Sequence, residues 1–215
     1  MGSGTWRRAK KRNWRAPAAL RSHATCGVLT SVHVLRLQGS RAFEHPIYPW
    51  SVIVRRATVE DLAGAFDVYE ATAAEGKWIG AELPIDKDDR LRRWRESFIE
   101  SDGGAMFVAE QDRSVVGSAS VSWAGRCGSG VLDLGMSVAP ERRRQGIGAR
   151  LLEACIEYAR SAGAHKITLQ VWPHNEAARA LYHRYGFEEE GYLRRHWRRK
   201  NGELWDAVVM GLFLE

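Results

Sequence analysis

The sequence predicts an α/β layer fold with a mixed, largely antiparallel central sheet flanked by helices. Three observations carry that expectation. From Val52 onward, apolar runs of strand length interleave with amphipathic helical stretches in the order βααβββαβαββ, a pattern that a layered sheet-and-helix core accommodates. Residues 131–152, VLDLGMSVAPERRRQGIGARLL, read as a strand, a basic turn with two glycines and the opening of a helix. Near the end, Asn201-Gly202 separates two apolar runs and is the strongest short-range hairpin signal, hence a signal for antiparallel pairing.

The elements follow in order. Val52, Ile53 and Val54 are β-branched and predict a strand. Thr58 with Asp61 three residues on has the form of a capping box, and Leu62, Ala65, Phe66 and Tyr69 recur at the spacing of one helix face. Residues 74–84, AEGKWIGAELP, are too interrupted by glycine and proline to be regular. That loop either faces a substrate with Trp78, Glu75 and Glu82, or merely connects, with Trp78 packed on the core. Residues 86–99 predict a second helix with Leu91, Trp94 and Phe98 on one face, and Asp102, Gly103 and Gly104 break it. Residues 105–110 and 115–123 predict a hairpin. The helix that starts near Gln145 carries Ile147, Leu151, Leu152, Cys155 and Ala159 on one side and ends at Gly163. Residues 167–172 predict a strand, and Asn175 caps a helix whose Ala178, Leu181, Tyr182 and Tyr185 share a face until Gly186. Residues 187–199 and 204–214 are the two strands joined at Asn201-Gly202.

A chain of 215 residues is long enough for one sizeable core, and 45% hydrophobic with 27% charged residues places it among ordinary globular proteins. The net charge of +6 is unevenly held: residues 1–43 contain nine Lys or Arg and no Asp or Glu, which leaves −3 for the rest. Residues 1–49 lack any sustained period and are expected to be a basic, disordered extension, with residues 50–215 as the folded domain. An Arg-rich transit peptide, a secretory leader with a poor apolar core and an extension from an upstream start codon all remain open for that tail. Its apolar residues 24–37 are too short and polar to span a membrane, and no aromatic-interleaved pattern supports nucleic acid as a partner. Cys26, Cys127 and Cys155 are odd in number and widely spaced, so neither a disulfide framework nor a zinc site is expected. A reduced cytoplasmic location fits them, with Cys155 as a small core residue.

The chemistry points first to the loop after the 131–138 strand. The first N–H groups of a helix lack partners and carry partial positive charge, and Gly146 and Gly148 would let a phosphate approach bare backbone. Arg142, Arg143 and Arg144 add cationic donors, so the loop reads as a diphosphate cradle or, alternatively, as a solvated basic turn. It lacks the Gly-Lys-Ser/Thr triplet of nucleotide loops and the glycine spacing of the dinucleotide fingerprint.

The loop Arg143-Arg144-Gln145-Gly146-Ile147-Gly148 has the form Gln/Arg-x-x-Gly-x-Gly/Ala. Residues 175–187 have the form Asn-x-x-Ala-x-x-Leu-Tyr-x-x-x-Gly-Phe. Together with the strand VLDLGMSV, these segments resemble the GNAT superfamily of acetyl-CoA-dependent N-acetyltransferases, and the resemblance covers residues 52–214. It implies acetyl-CoA as co-substrate, with its pyrophosphate on the backbone of Arg143, Arg144, Gln145, Gly146, Ile147 and Gly148. The pantetheine arm would pair beside Met136, Ser137 and Val138, with Asn175 reaching it from the far side. It implies direct acetyl transfer to an amine, with Asp133 as base where many members carry Glu, the Val138 N–H on the thioester oxygen and Tyr182 as the acid for the departing sulfur. The competing readings are an Asp133 that caps or pairs with an Arg, and a Tyr182 that is core.

The seven histidines show no metal-ligand spacing, so no metal is expected. In the last hairpin, strict alternation would put Arg194, His196 and Arg198 on one face and Arg195, Trp197 and Arg199 on the other. A charge-protected solvated edge is the preferred reading of that cluster, over an anionic substrate contact. The acceptor expected is a primary amine on a small molecule such as an amino acid, polyamine or antibiotic-like amine, for which Glu75 and Glu82 would suit a cation. A protein N-terminus or lysine is the alternative acceptor, and a non-catalytic acetyl-CoA sensor the alternative class. The edges of the last hairpin allow a homodimer.

Overall fold

The computed structural model describes residues 52–125 and 129–214. The expected disordered extension over residues 1–49, with Cys26, and the loop cysteine Cys127 lie outside the described residues. Eleven elements appear in the expected order: β1 (Ile53–Arg56), α1 (Leu62–Ala74), α2 (Lys87–Trp94), β2 (Gly104–Gln111), β3 (Ser114–Trp123), β4 (Val131–Val138), α3 (Ile147–Ser161), β5 (Lys166–Val171), α4 (Glu176–Arg184), β6 (Glu188–Arg198) and β7 (Leu204–Phe213). They form one sheet in the order β1-β2-β3-β4-β5-β7-β6. Every neighbouring pair is antiparallel except β4 with β5, whose parallel approach needs the long crossover that α3 provides.

Two apolar layers close the sheet. On one face Leu151, Leu152 and Cys155 of α3 pack with Ala119, Val121, Leu132 and Leu134 of the central strands. Burial pushes the Cys155 thiol up to about 12, which makes it an inert core residue as its helical position suggested. On the other face a smaller cluster joins Leu62 and Ala65 of α1 to Phe98, Met106 and Val108. Paired residues of antiparallel strands share a face, so Ser118, Ser120, Asp133 and Ser137 lie on the α1 side while Ala119, Val121, Leu134 and Met136 lie on the α3 side.

The joint between β1 and α1 is an ionic knot. The Thr58 N–H donates to Asp61 Oδ2 at 2.8 Å, and Arg55 donates to both Asp61 oxygens at 2.6 and 2.8 Å and to Glu110 Oε2 at 2.8 Å. The Arg55 guanidinium holds the Asp61 carboxyl down to about 2.

Three local expectations are revised. The helix expected over residues 86–99 stops being α-helical after Trp94 and widens into a π turn over Arg95–Ile99, which carries Phe98 into the smaller core. α3 starts at Ile147 rather than near Gln145, because Arg144 and Gly146 both take left-handed φ, 64° and 80°. The alternation expected along the last hairpin is broken. Between the pairs Leu193↔Ala207 and Trp197↔Trp205, three residues of β6 oppose Asp206 alone, and Arg195 is left-handed at φ 53°. Asp206 organises that bulge by accepting from the Arg195 N–H at 2.6 Å and the Tyr192 hydroxyl at 2.7 Å.

Candidate active site

Beyond Asp133↔Thr168 the strands β4 and β5 diverge, and a cleft of about 1210 Å³ opens between them. The antiparallel ladder fixes what the diverging strand presents. The Ala124 N–H donates to the Val131 carbonyl at 2.8 Å and the Ala139 N–H to that of Val116 at 3.0 Å, so odd positions of β4 bond with β3. The N–H groups of Met136 and Val138 therefore point the other way, toward the space β5 has left. The Val138 carbonyl is engaged by Arg143 Nε at 3.2 Å.

The turn before α3 forms the second wall. Arg144 and Gly146 are left-handed around Gln145, a conformation that turns successive N–H groups into a concave nest. The backbone N–H groups of residues 144–149 have no acceptor among the described residues. A side chain at Gly146 would meet nothing within 4 Å, so its φ of 80° is what calls for glycine there. This donor set at the positive end of a 15-residue helix fits a diphosphate, and the outward N–H groups of β4 fit an extended amide chain.

Met136, Ser137, Val138, Arg143, Arg144, Gly146, Ile147, Gly148, Asn175, Tyr182 and Asp133 all line this one cleft. Gln145 does not line it; its amide reaches back to the Glu141 carbonyl at 3.4 Å. The Arg143 guanidinium faces away from the nest and pairs with Glu75, donating to Oε2 at 3.1 Å, while Trp78 Nε1 donates to the same oxygen at 2.7 Å. Arg143 thereby holds the Glu75 carboxyl below its usual range. The Asn175 side chain accepts from the Ala178 N–H at 3.2 Å and so caps α4.

Asp133 is the only acid in the cleft lining among the described residues, and it has no hydrogen-bond or ion-pair partner there. Its carboxylate is open to the cleft yet ringed by protein on the concave wall. That desolvation raises its pKa above the ordinary carboxylate range. Tyr182 is buried, with its ring tilted against Phe187 at 5.5 Å, and its hydroxyl has no partner among the described residues. Burial raises its pKa, so the phenol stays protonated across the physiological range.

The loop acids are engaged elsewhere. Glu82 takes the Arg199 guanidinium at 3.2 Å and the Lys200 N–H at 3.0 and 3.1 Å, and neither Glu82 nor Glu75 lines the cleft. Arg199 is not at a solvated edge. It is 5% exposed, sits 4.5 Å over the Trp205 ring, and donates to the carbonyls of Gly76, Ile79 and Gly80. The hairpin thus straps down the loop whose Trp78, Ile79 and Gly80 form part of the cleft wall. Further lining residues, Tyr69, Arg90, Gln170, Trp172 and Trp197, gave no motif. Ser118 and Ser120 were legible in principle, since alternate serines on β3 face the same side as Asp133.

Among the described residues no group of three or more His, Cys, Asp or Glu is placed to hold a metal. No described helix is long and apolar enough to cross a membrane.

The profile of the acetyltransferase (GNAT) family matches residues 67–187, and the chain belongs to that family. It is an acyltransferase. Among curated proteins it is similar to an L-methionine sulfoximine/L-methionine sulfone acetyltransferase of Pseudomonas aeruginosa, 29% identical over 145 residues, 66% of this chain and 84% of that one. Among solved structures it is similar to a ribosomal-protein-alanine N-acetyltransferase from Brucella melitensis, with TM-score 0.68 and 33% identity over 75% of this chain and 99% of that one. A candidate acetyltransferase from Salmonella typhimurium, solved with its cofactor acetyl-CoA, matches with TM-score 0.69 and 25% identity over 76% and 94% of the two chains.

Proposed function

We propose that the cleft binds acetyl-CoA against β4 and the α3 nest and moves its acetyl group directly to a primary amine of a small molecule. One observation carries this reading. The strand divergence brings free backbone donors, an unpaired carboxylate and an unpaired phenol to one cleft. The sulfoximine/sulfone acetyltransferase supports a small-molecule acceptor.

Acetyl-CoA supplies an activated acetyl group whose C–S bond breaks as the amine C–N bond forms. Asp133 draws a proton from the alkylammonium, directly or through water, and its raised pKa brings it closer to the amine it must deprotonate. The Val138 N–H donates to the thioester oxygen as charge grows there. The Tyr182 hydroxyl donates to the departing sulfur, which leaves as a thiol; the nitrogen gives up a second proton as the amide forms, and that proton restores the phenol, while the one taken by Asp133 passes to solvent. One proton is released overall for each amide formed. The cytoplasm is the proposed setting, on the cysteine usage alone.

Release of CoA thiol in a panel of amines, amino acids and peptides tests the reading. Tyr182→Phe is expected to lower kcat by about 100-fold with the acetyl-CoA Kd unchanged by calorimetry. Tight acetyl-CoA binding without turnover across the panel would instead identify a sensor. A second reading, a protein N-terminus as acceptor, is favoured by the ribosomal-protein-alanine N-acetyltransferase, so the panel includes a peptide that begins with alanine.

A further inference from the structure

We propose that the acceptor is a small zwitterion, an amino acid, whose carboxylate is received by Arg90 while its amine faces Asp133. This rests on the N-acetyltransferase reading and narrows its acceptor to one chemical class.

Arg90 differs from its neighbours on α2. Arg92 and Arg93 both pair with Asp89, and Arg92 also with Glu96 at 3.3 Å. Arg90 has no ion pair among the described residues, and its Nε is buried without an acceptor. Its guanidinium instead lies 5.0 Å over the Tyr69 ring, which Trp94 braces edge-on at 5.5 Å. A cation positioned on an aromatic platform and left without an anion has its place fixed before any ligand arrives. Both Arg90 and Tyr69 line the cleft.

A second orphan lies in the same cleft. Trp172 is 5% exposed, and its indole N–H is buried without an acceptor. Trp197 and Trp205 fix that ring edge-on at 5.7 and 5.5 Å, so it has little freedom to turn toward another partner. The buried unpartnered atoms among the described residues are those of Arg90, Trp172 and Gln111, and the first two share this cleft. Arg90 is the stronger pointer, because its guanidinium is held without an anion among the described residues and a carboxylate would supply one. A polyamine brings ammonium groups alone, which would leave Arg90 without an anion and would be repelled by it.

The placement of charge agrees with a zwitterion. α1 and α2 cover the sheet face that carries Asp133, so the one acid of the lining and Arg90 belong to the same side of the molecule. The other cations of the lining come from the turn before α3 and from the end of α4. Trp78, Ile79 and Met106 supply apolar wall, which suits an uncharged side chain.

Thiol release by the full-length protein, with matched compounds, tests the proposal. For the side chains of leucine, methionine and glutamine, the free L-amino acid, its amide and the decarboxylated amine are compared, with spermidine and a peptide that begins with alanine alongside. The free acids are expected to exceed their amides and amines in kcat/KM by about tenfold or more, because a site built to bond an oxygen anion rejects the analogue without it. Arg90→Gln should collapse that preference toward one, chiefly through the acceptor KM, and Arg90→Lys should restore part of it. Amides, peptide or spermidine used as well as the free acids would overturn the proposal. So would an Arg90→Gln protein that keeps the acid-to-amide ratio while losing activity uniformly. If no compound is acetylated, the proposed reading of the acceptor as a small-molecule primary amine fails. Calorimetric titration of leucine and leucinamide into the acetyl-CoA complex then decides the zwitterion separately, with equal binding, or none, against it.

Discussion

The tasks proposed for Asp133 and Tyr182 are opposite, and desolvation acts on both groups to different degrees. Tyr182 is buried, which holds the phenol protonated, while the Asp133 carboxylate stays open to the cleft but is partly desolvated by the wall behind it, which makes it readier to accept a proton. For Asp133 the sign is definite. Its base form exists only above a pKa raised over the ordinary carboxylate value, so kcat/KM should climb with pH through that raised value. Asp133→Asn should flatten this acid limb and lower kcat/KM by about 100-fold in a thiol-release pH profile. These two positions were legible through the family resemblance, which implied an acid on the strand before the cofactor segment and a tyrosine on the helix after Asn175, while the residues alone left a paired Asp133 and a core Tyr182 open. Arg90 was not legible. On its helix it is one arginine among several, and only the pairing of Arg92 and Arg93 with Asp89 shows that Arg90 is left over.

The joint between β1 and α1 and the hairpin strap make separate predictions at the level of elements. Asp61 is nearly buried, and its carboxyl is held at about 2 against 3.8 unperturbed. A depressed folded pKa gives stability that is present above the unfolded value and lost as the pH falls through the folded one. Asp61→Asn should therefore cost about 2 kcal/mol at neutral pH in urea denaturation, a deficit that narrows as the pH drops from about 4 toward 2. Arg199→Met removes the cation from Glu82 and three carbonyls at once. It should destabilise by about 3 kcal/mol and raise the acceptor KM, since the freed loop forms part of the cleft wall. Helices, strands and their order were readable from local periodicity, down to the Asn201-Gly202 turn. The β6 bulge was not, because Asp206 on the opposite strand causes it. Nor was the fate of Glu75 and Glu82, whose partners Arg143, Arg199 and Lys200 are far away in sequence.

At the scale of the molecule, residues 52–214 contain every group assigned to binding and chemistry. Deleting residues 1–49 is expected to leave kcat/KM and the acetyl-CoA Kd unchanged, measured side by side with the full chain. The layer order followed from sequence, whereas the point where β4 and β5 part did not. The parallel pairing ends after Asp133↔Thr168, and no residue type announces that end. The parting creates an edge strand in the interior of a seven-stranded sheet. Amide hydrogens at the middle of such a sheet normally exchange with solvent only on global opening. Those of Met136 and Val138 should instead exchange rapidly in the free protein, flanked by slow neighbours at Gly135 and Ser137, and become slow when acetyl-CoA is added. The same ligand should raise Tm in proportion to the logarithm of its concentration. The sheet would then be whole only while it holds its donor, the arm of acetyl-CoA serving as the missing strand.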